Sequence, residues 1–141
     1  KIAKGEEMPI YADSEDSIGS RIYLHAKNMA DALVFLSKTK PTKYMDLVEK
    51  GETGDSRPDR YNVCGDTELD NLQLAKMVAN IMGKELNYKL VPSESARPGY
   101  DRRYALDGTK LEEAGWKAPM TFRQSLELIV DWTLKNPHWL V

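Results

Sequence analysis

The first amphipathic pattern of the chain lies in residues 26–37, AKNMADALVFLS, where apolar residues recur near the spacing of one helical face. The stripe predicted to be buried consists of Met29, Leu33, Val34 and Leu36. Lys40-Pro41 ends the pattern, since proline cannot continue a helix. The polar residues 44–60 then predict a short ordered piece followed by a surface loop.

A second helix is predicted within residues 68–83, ELDNLQLAKMVANIMG, because the sequence marks both of its ends. Asp70 and Gln73 have the spacing of a capping box, and Gly83 suits the left-handed conformation that often follows a helix. The apolar stripe predicted for this helix consists of Leu74, Met77, Val78 and Ile81.

Two further helices are predicted towards the end of the chain. Asp107 can cap a short helix, on which Trp116 would pack back. Thr121 and Gln124 form another capping box, and it opens a final helix that ends at Asn136-Pro137. The inward residues predicted for that helix are Leu126, Ile129, Val130 and Leu134.

Short strands separate these helices. Residues 60–65, RYNVCG, predict a short strand, and residues 85–91, ELNYKLV, alternate as a half-buried strand does before Pro92. The predicted fold class is therefore α/β, a small mixed domain of helices and short strands. The length favours one compact domain over residues 1–141.

The composition excludes several classes of partner. The chain is 41% hydrophobic and 30% charged with a net charge of -2, which is typical of a soluble globular domain. With 20 basic and 22 acidic side chains it has no global positive field, so neither nucleic acid nor a membrane is expected as a partner. The single cysteine, Cys64, and the lack of a secretory or bilayer-length apolar run favour a cytoplasmic location.

The sequence contains no recognisable motif for a metal or a bound dinucleotide. Neither G-x-G-x-x-G nor G-x-x-x-x-G-K-[ST] occurs, so nothing builds an NAD or ATP cradle of those kinds. His25 has no second ligand or triad partner at a suitable spacing and is interpreted as structural. Tyr23 and Lys27 share the Y-x-x-x-K spacing of short-chain dehydrogenases, but Tyr23 falls in an extended entry to the helix, which indicates coincidence. Asp13 and Asp16 are interpreted as solvated loop residues.

The segment SARPGYDRRYALD, residues 95–107, is the strongest candidate for a binding site. Arg97, Arg102 and Arg103 surround a rigid Pro98-Gly99 corner. The arginine fork suits bidentate contacts to phosphate, and glycine allows close approach of a ligand, so Arg97 is a candidate phosphate clamp. Alternatively, the arginines pair with acidic neighbours on the surface. Those neighbours are Glu94, Asp101 and Asp107.

A set of motifs in fixed order resembles a known family. The motifs are MPIY, GSRIYLH, MADAL, RYNVCG, ARPGYDRRYALD, KLEEAGWKAP and FRQSLELIVDWTLKNPHWL. Together they resemble the carboxy-terminal part of the extended short-chain dehydrogenase/reductases that act on nucleotide sugars, in particular the dTDP-glucose 4,6-dehydratase group. The resemblance runs over nearly the whole chain from about Gly5.

The resemblance implies the substrate-binding portion of an NAD(P)-binding Rossmann-type enzyme whose Rossmann core is missing. In that family the amino-terminal Rossmann domain holds NAD and the catalytic Tyr and Lys, so this fragment is expected to bind no cofactor and to be inactive alone. The expected function is to bind the nucleoside diphosphate of a nucleotide sugar within a 4,6-dehydratase. A 4-epimerase or decarboxylase of the same family remains an alternative. A noncatalytic module that binds an acidic partner or RNA, and a structural scaffold, remain alternatives from other classes.

The substrate-binding residues implied by the resemblance are Arg21, Asn62, Arg97, Tyr100, Ile10 and Tyr11. The two arginines take the places of those that bind the pyrophosphate, and the asparagine falls at a Y-N position near the phosphates and ribose. Residues 8–11 would lie along the nucleobase. Tyr100 stands where many 4,6-dehydratases have histidine, and its hydroxyl can still hydrogen-bond the nucleotide.

Two departures from the family pattern leave the base and the sugar open. The family's Tyr-Gly-Asp-Gly turn is Tyr-Ala-Asp-Ser at residues 11–14, and its Arg-Asp-Trp is Arg-Ile-Tyr at residues 21–23. The expected partners are a nucleotide-sugar substrate and the chain's own amino-terminal Rossmann domain, which would dock on an exposed apolar face. The whole enzyme is expected to be a homodimer and this chain alone a monomer.

Overall fold

The computed structural model describes residues 1–39, 59–93, 99 and 101–140. The chain divides into two compact units. The first consists of Lys1–Tyr23, Gly65–Ala105 and Met120–Val141, and the second of Leu24–Cys64 and Leu106–Pro119. Helices and short strands alternate along the chain, which confirms the predicted mixed α/β class.

The strands of the first unit form two small sheets. They are β1 (Met8–Tyr11), β2 (Ser20–Ile22), β3 (Glu68–Asp70), β4 (Tyr88–Val91) and β5 (Arg103–Tyr104). Strand β1 pairs in parallel with β4, and β2 lies between antiparallel β3 and parallel β5. The strand predicted within residues 85–91 is confirmed as β4, and it ends directly before Pro92.

The helices of the described residues are α1 (Ala26–Lys38), α2 (Asn71–Ile81), α3 (Thr109–Glu113) and α4 (Phe122–Lys135), with short 3-10 helices at Ile2–Lys4, Glu15–Ser17 and Pro137–Trp139. Side chains cap the starts of α1, α2 and α4. Both predicted capping boxes are confirmed, Asp70 with Gln73 on α2 and Thr121 with Gln124 on α4. Gly83 follows α2 with a φ of 63°, in the left-handed region. Among the described residues no helix is long and apolar enough to cross a membrane.

Two apolar clusters hold the first unit together. One joins Ile10 of β1 to Leu72 and Ala75 of α2. In the other, α4 buries side chains against the stripe predicted on α2; the residues that α4 buries are Phe122, Leu126 and Val130. The prediction for α4 is wrong at Ile129 and Leu134, which are exposed, because the contact with α2 covers only the narrower face that carries Leu126 and Val130.

The second unit packs around Ala32, Leu111 and Trp116. Trp116 packs back on α3, as predicted, and its Nε1 donates to Asp31 Oδ1 at 2.8 Å. The cap of α3 is one residue later than predicted, at Gly108, while Asp107 Oδ1 accepts from the Thr109 N–H at 2.9 Å.

The stripe predicted on α1 is confirmed at Leu36, which packs against the core of the second unit, but it is wrong at the other three residues. Leu33 and Val34 are 58% and 52% exposed, and Met29 is exposed as well. Asn28 and Ala32 are buried instead, because the small Ala32 side chain is the one that packs against Leu111 and Trp116. Helix α1 therefore presents an exposed apolar face, formed by Met29, Leu33 and Val34.

The strand predicted at residues 60–65 is also wrong, since these residues belong to no sheet. The alternation that suggested it is present: Tyr61 and Val63 pack against the core of the second unit, while Arg60 and Asn62 are exposed. Within the described ranges, however, this segment forms no backbone hydrogen bonds with a neighbouring strand. Most of the loop predicted at residues 44–60 lies outside the described residues.

Candidate functional site

The residues assigned to a site by resemblance lie in different parts of the chain. Ile10 and Tyr11 are on β1 and Arg21 is on β2, all in the first unit, while Asn62 belongs to the second. Arg97 and Tyr100 lie outside the described residues. Ile10 is 2% exposed within the core, which leaves only its backbone to face a ligand, whereas Tyr11 is half-buried at the end of β1.

Arg21 is held by the backbone of the segment that follows the R-P-G run. Its Nη2 donates to the Asp101 carbonyl at 3.0 Å, and its Nη1 donates to the carbonyls of Ser20 at 2.6 Å and Arg102 at 3.3 Å. Its guanidinium carbon lies 4.6 Å from the centroid of the Tyr104 ring, a cation–π distance. The orientation of the guanidinium is therefore fixed by contacts that reach across about eighty residues of sequence.

Arg103 is engaged in a pair with a glutamate, Glu68. Its Nε and Nη2 donate to the two Glu68 carboxylate oxygens, both at 2.8 Å, and the Ser20 hydroxyl donates to Glu68 at 2.7 Å. The bond from Arg103, with a smaller effect from Ser20, lowers the pKa of Glu68 to about 2. The surface-pairing interpretation thus holds for Arg103, but the partner is Glu68 and not one of the acids close in sequence.

Asp13 makes contacts that the sequence did not indicate. Its carboxylate accepts from the Ser93 N–H at 3.0 Å and from the Ser93 hydroxyl at 3.1 Å, and it lies 3.9 Å from Arg102 Nη2. Asp13 is an exposed loop residue, as predicted, but its carboxylate has specific partners. It ties the turn after β1 to residues on both sides of the R-P-G segment.

Asn62 and its neighbours are tied to the loop before α3. Asn62 Nδ2 donates to the Asp107 carbonyl at 2.9 Å, and Cys64 Sγ donates to the Leu106 carbonyl at 3.2 Å. Burial, and then the charge of Asp107, raise the pKa of the Cys64 thiol, which favours the neutral thiol over the thiolate. Hydrogen bonds from Thr109 lower the pKa of Asp107.

His25 and Tyr23 have structural contacts. His25 caps α1, since its Nδ1 accepts from the Lys27 N–H at 2.9 Å, which agrees with the structural interpretation. Tyr23 precedes α1 and donates from its hydroxyl to Asn71 Oδ1 at 2.9 Å. The Y-x-x-x-K pair is therefore not carried on one helix, as the chemistry of a dehydrogenase would need.

The described residues do not fit NAD or a metal ion. In the described ranges no three His, Cys, Asp or Glu side chains gather as metal ligands. Helix α1 begins at a histidine cap and α2 directly after β3, so neither start has the glycine-rich turn that lets a dinucleotide pyrophosphate approach. What the first unit offers instead is an oriented arginine, a group suited to binding phosphate.

Relatives match nearly the whole chain but only about a third of their own length. No family model matches. A dTDP-glucose 4,6-dehydratase of Xanthomonas campestris pv. campestris is 30% identical over an alignment of 148 positions, gaps included, that covers 99% of this chain and 37% of that protein.

Solved structures give the same result. The dTDP-glucose 4,6-dehydratase of Bacillus anthracis in complex with NAD has a TM-score of 0.68 and 26% identity, over 97% of this chain and 37% of that one. The UDP-glucose 4-epimerase of Thermotoga maritima with UDP-glucose has a TM-score of 0.68 and 25% identity, over 96% and 37%. By sequence and by fold, the chain belongs to the extended short-chain dehydrogenase/reductase family, in its group of NAD-dependent nucleotide-sugar epimerases and dehydratases, and it spans about a third of the length of such a protein.

Proposed function

We propose that this chain binds the nucleoside diphosphate of a nucleotide sugar as part of an NAD-dependent 4,6-dehydratase that resembles dTDP-glucose 4,6-dehydratase. The observation that carries the proposal is the setting of Arg21. This arginine stands at a pyrophosphate-binding position of the family, and its guanidinium is oriented by Asp101, Arg102 and Tyr104.

The pairing of strands supports a role for Arg97 in the same site. Strand β5 begins six residues after Arg97 and pairs with β2 so that Tyr104 lies opposite Arg21. The two arginine-bearing stretches of the sequence are thus joined in one sheet. Tyr11, Tyr100 and Asn62 are each proposed as substrate-binding residues by their family positions alone, with Ile10 contributing its backbone.

In this proposal the chain positions the substrate and does not carry out the reaction. NAD would be held by an amino-terminal Rossmann domain, which would also supply the catalytic Tyr and Lys. The chain's own residues hold the diphosphate so that the sugar is fixed for reaction, which is a positioning role. We therefore expect no turnover of nucleotide sugars by this chain alone.

The apolar face of α1 is the surface proposed to dock the Rossmann domain. Met29, Leu33 and Val34 are exposed on one helix. About 63% of the length of the curated relatives has no counterpart in this chain, so a large part of such a protein is available to cover them. A contiguous exposed apolar face of this kind is typical of an interface.

The proposal is tested by calorimetric titration of the chain with dTDP-glucose and UDP-glucose. Two charge-assisted arginine contacts at about 1.5–3 kcal/mol each predict binding between roughly ten micromolar and ten millimolar. We expect Arg21→Ala and Arg97→Ala each to weaken binding about tenfold or more. Arg123→Ala is the matched control, because Arg123 lies on α4 and pairs only at the surface with Glu127.

Unchanged affinity in both site variants would contradict the proposal. Binding of RNA or of an acidic peptide in place of the nucleotide sugar would favour the noncatalytic module. A preference for UDP-glucose over dTDP-glucose would favour an epimerase of the same family over the dehydratase.

A further inference from the structure

Tyr104 lies directly over the guanidinium of Arg21. The two residues are opposite each other in the parallel pairing of β2 with β5, so their side chains project from the same face of the sheet. This register brings the ring centroid to 4.6 Å from the Arg21 guanidinium carbon. Strand pairing, and not proximity in sequence, creates the contact.

Asp101 holds both members of this contact. Its carbonyl accepts from Arg21 Nη2 at 3.0 Å. Its carboxylate accepts a hydrogen bond from the Tyr104 hydroxyl. The same residue therefore fixes one edge of the guanidinium and the position of the ring that covers it.

The exposure of Tyr104 separates this role from core packing. The residue is 57% exposed, and neither it nor Asp101 belongs to an apolar cluster of the described residues. A half-exposed arginine otherwise samples many rotamers. The conformational entropy that it loses when a ligand orders it weakens the binding of that ligand. A ring that restrains the guanidinium beforehand removes part of that loss.

We propose that Tyr104 and Asp101 are positioning residues that hold the Arg21 guanidinium in the orientation in which it binds a phosphate of the substrate. The inference rests on the proposed function for the identity of the ligand. The restraint of Arg21 itself is independent of any ligand and can be measured in the free chain.

The first test is the NMR signal of the Arg21 side-chain Nε–H in the free chain. In the wild type we expect a sharp resonance shifted by the ring current of Tyr104. Tyr104→Val removes the ring and keeps a β-branched residue suited to a strand, so it should abolish the shift and broaden the signal. Tyr104→Phe keeps the ring but loses its hydrogen bond to Asp101, so it should retain only part of the shift. An identical Arg21 signal in the wild type and Tyr104→Val would overturn the inference, whatever the chain binds.

The second test is a double-mutant cycle for binding of dTDP-glucose. Loss of an exposed cation–π contact predicts roughly two- to fivefold weaker binding in Tyr104→Val, and Tyr104→Phe should recover most of it. In the Arg21→Ala background the same substitution should have no further effect, because Tyr104 acts through Arg21. Trp139→Leu, which removes another exposed aromatic ring, is the control and should bind as the wild type does.

The outcomes separate the inference from the proposed function. If Tyr104→Val weakens binding as much in the Arg21→Ala background as in the wild type, the inference is overturned. The proposal that the chain binds a nucleotide sugar would still stand. No binding by the wild type would overturn the proposed function and with it the phosphate part of the inference, and the NMR signal would still decide whether Tyr104 restrains Arg21. If Tyr104→Val unfolds, Tyr104→Trp replaces it, and a loss of affinity despite the retained ring face would contradict the positioning role.

Discussion

At the scale of single residues, Glu68 links all three strands of its sheet. It lies on β3 and accepts from Ser20 of β2 and from Arg103 of β5. Because these bonds favour the charged carboxylate, its pKa falls from 4.5 to about 2. A lowered pKa in the folded state stabilises the fold above pH about 4.5, and this contribution is lost as the pH falls towards 2.

We therefore predict that Arg103→Gln raises the pKa of Glu68 towards 4.5, because Arg103 is the larger cause of the shift. The measurement is an NMR titration of the Glu68 carboxyl carbon between pH 2 and 6. Ser20→Ala is the matched comparison and should raise the pKa by less. A carboxyl that titrates near 4.5 in the wild type would contradict the pairing.

The residue scale also shows what the sequence could and could not predict about the site. Arg21 and Arg97 could be proposed as site residues from motifs, because motifs are local in sequence. Tyr104, Asp101 and Asp13 could not, since their roles depend on which strands pair and in what register. Asp13 contacts Ser93 and Arg21 contacts Asp101, each across 80 positions, and no local pattern encodes such contacts.

At the scale of elements, the starts of α2 and α4 follow from the chemistry of their caps. Asp70 Oδ1 accepts from the Gln73 N–H at 2.7 Å, and Gln73 Oε1 accepts from the Asp70 N–H at 3.0 Å. These bonds satisfy donors that the helix start leaves without intrahelical partners. Such caps could be predicted because only four consecutive residues take part.

We predict that Asp70→Ala lowers the free energy of unfolding by about 1 kcal/mol, the usual effect of removing an N-cap side chain. Urea denaturation followed by circular dichroism measures it. Asp70→Asn keeps an acceptor oxygen at the cap and should change stability by only a few tenths of a kcal/mol. Equal losses in the two variants would show that the capping bond is not the cause.

The errors at this scale have a common physical reason. The sequence of α1 indicates a helix, but not which of its faces meets a core, and the small Ala32 decides that orientation. Residues 60–65 alternate as a strand does, but a strand also needs a partner to bond it. Both depend on what lies beside the element, which the element's own sequence does not contain.

At the scale of the whole molecule, the division into two units was not predicted. The chain leaves the first unit after Tyr23, forms the second, and returns at Gly65 and again at Met120. No shift in composition marks these crossings. The mixed α/β class could be predicted, because it depends only on the order of helices and strands.

The apolar face of α1 leads to a prediction about association. We predict that the wild-type chain associates weakly at high concentration, or binds an apolar dye, through this exposed surface. Leu33→Gln with Val34→Gln should reduce both effects with little change in stability, since both side chains are mostly exposed and glutamine suits a helix. Sedimentation velocity and dye fluorescence measure the two effects.

A large loss of stability in that double variant would contradict the assignment of the face as a docking surface, because it would place both side chains in the core. Lys27→Gln, at an exposed position on the same helix, is the control for the effect of an added amide.

The most direct test of the central claim is a two-dimensional NMR titration of the chain with dTDP-glucose, UDP-glucose and GDP-mannose. The account predicts saturable shifts that cluster on the amides of Arg21, Asn62, Arg97 and Tyr100, and their sizes would rank the bases. Amides that stay unshifted with all three ligands at millimolar concentration would contradict the claim that this chain binds the nucleoside diphosphate of a nucleotide sugar.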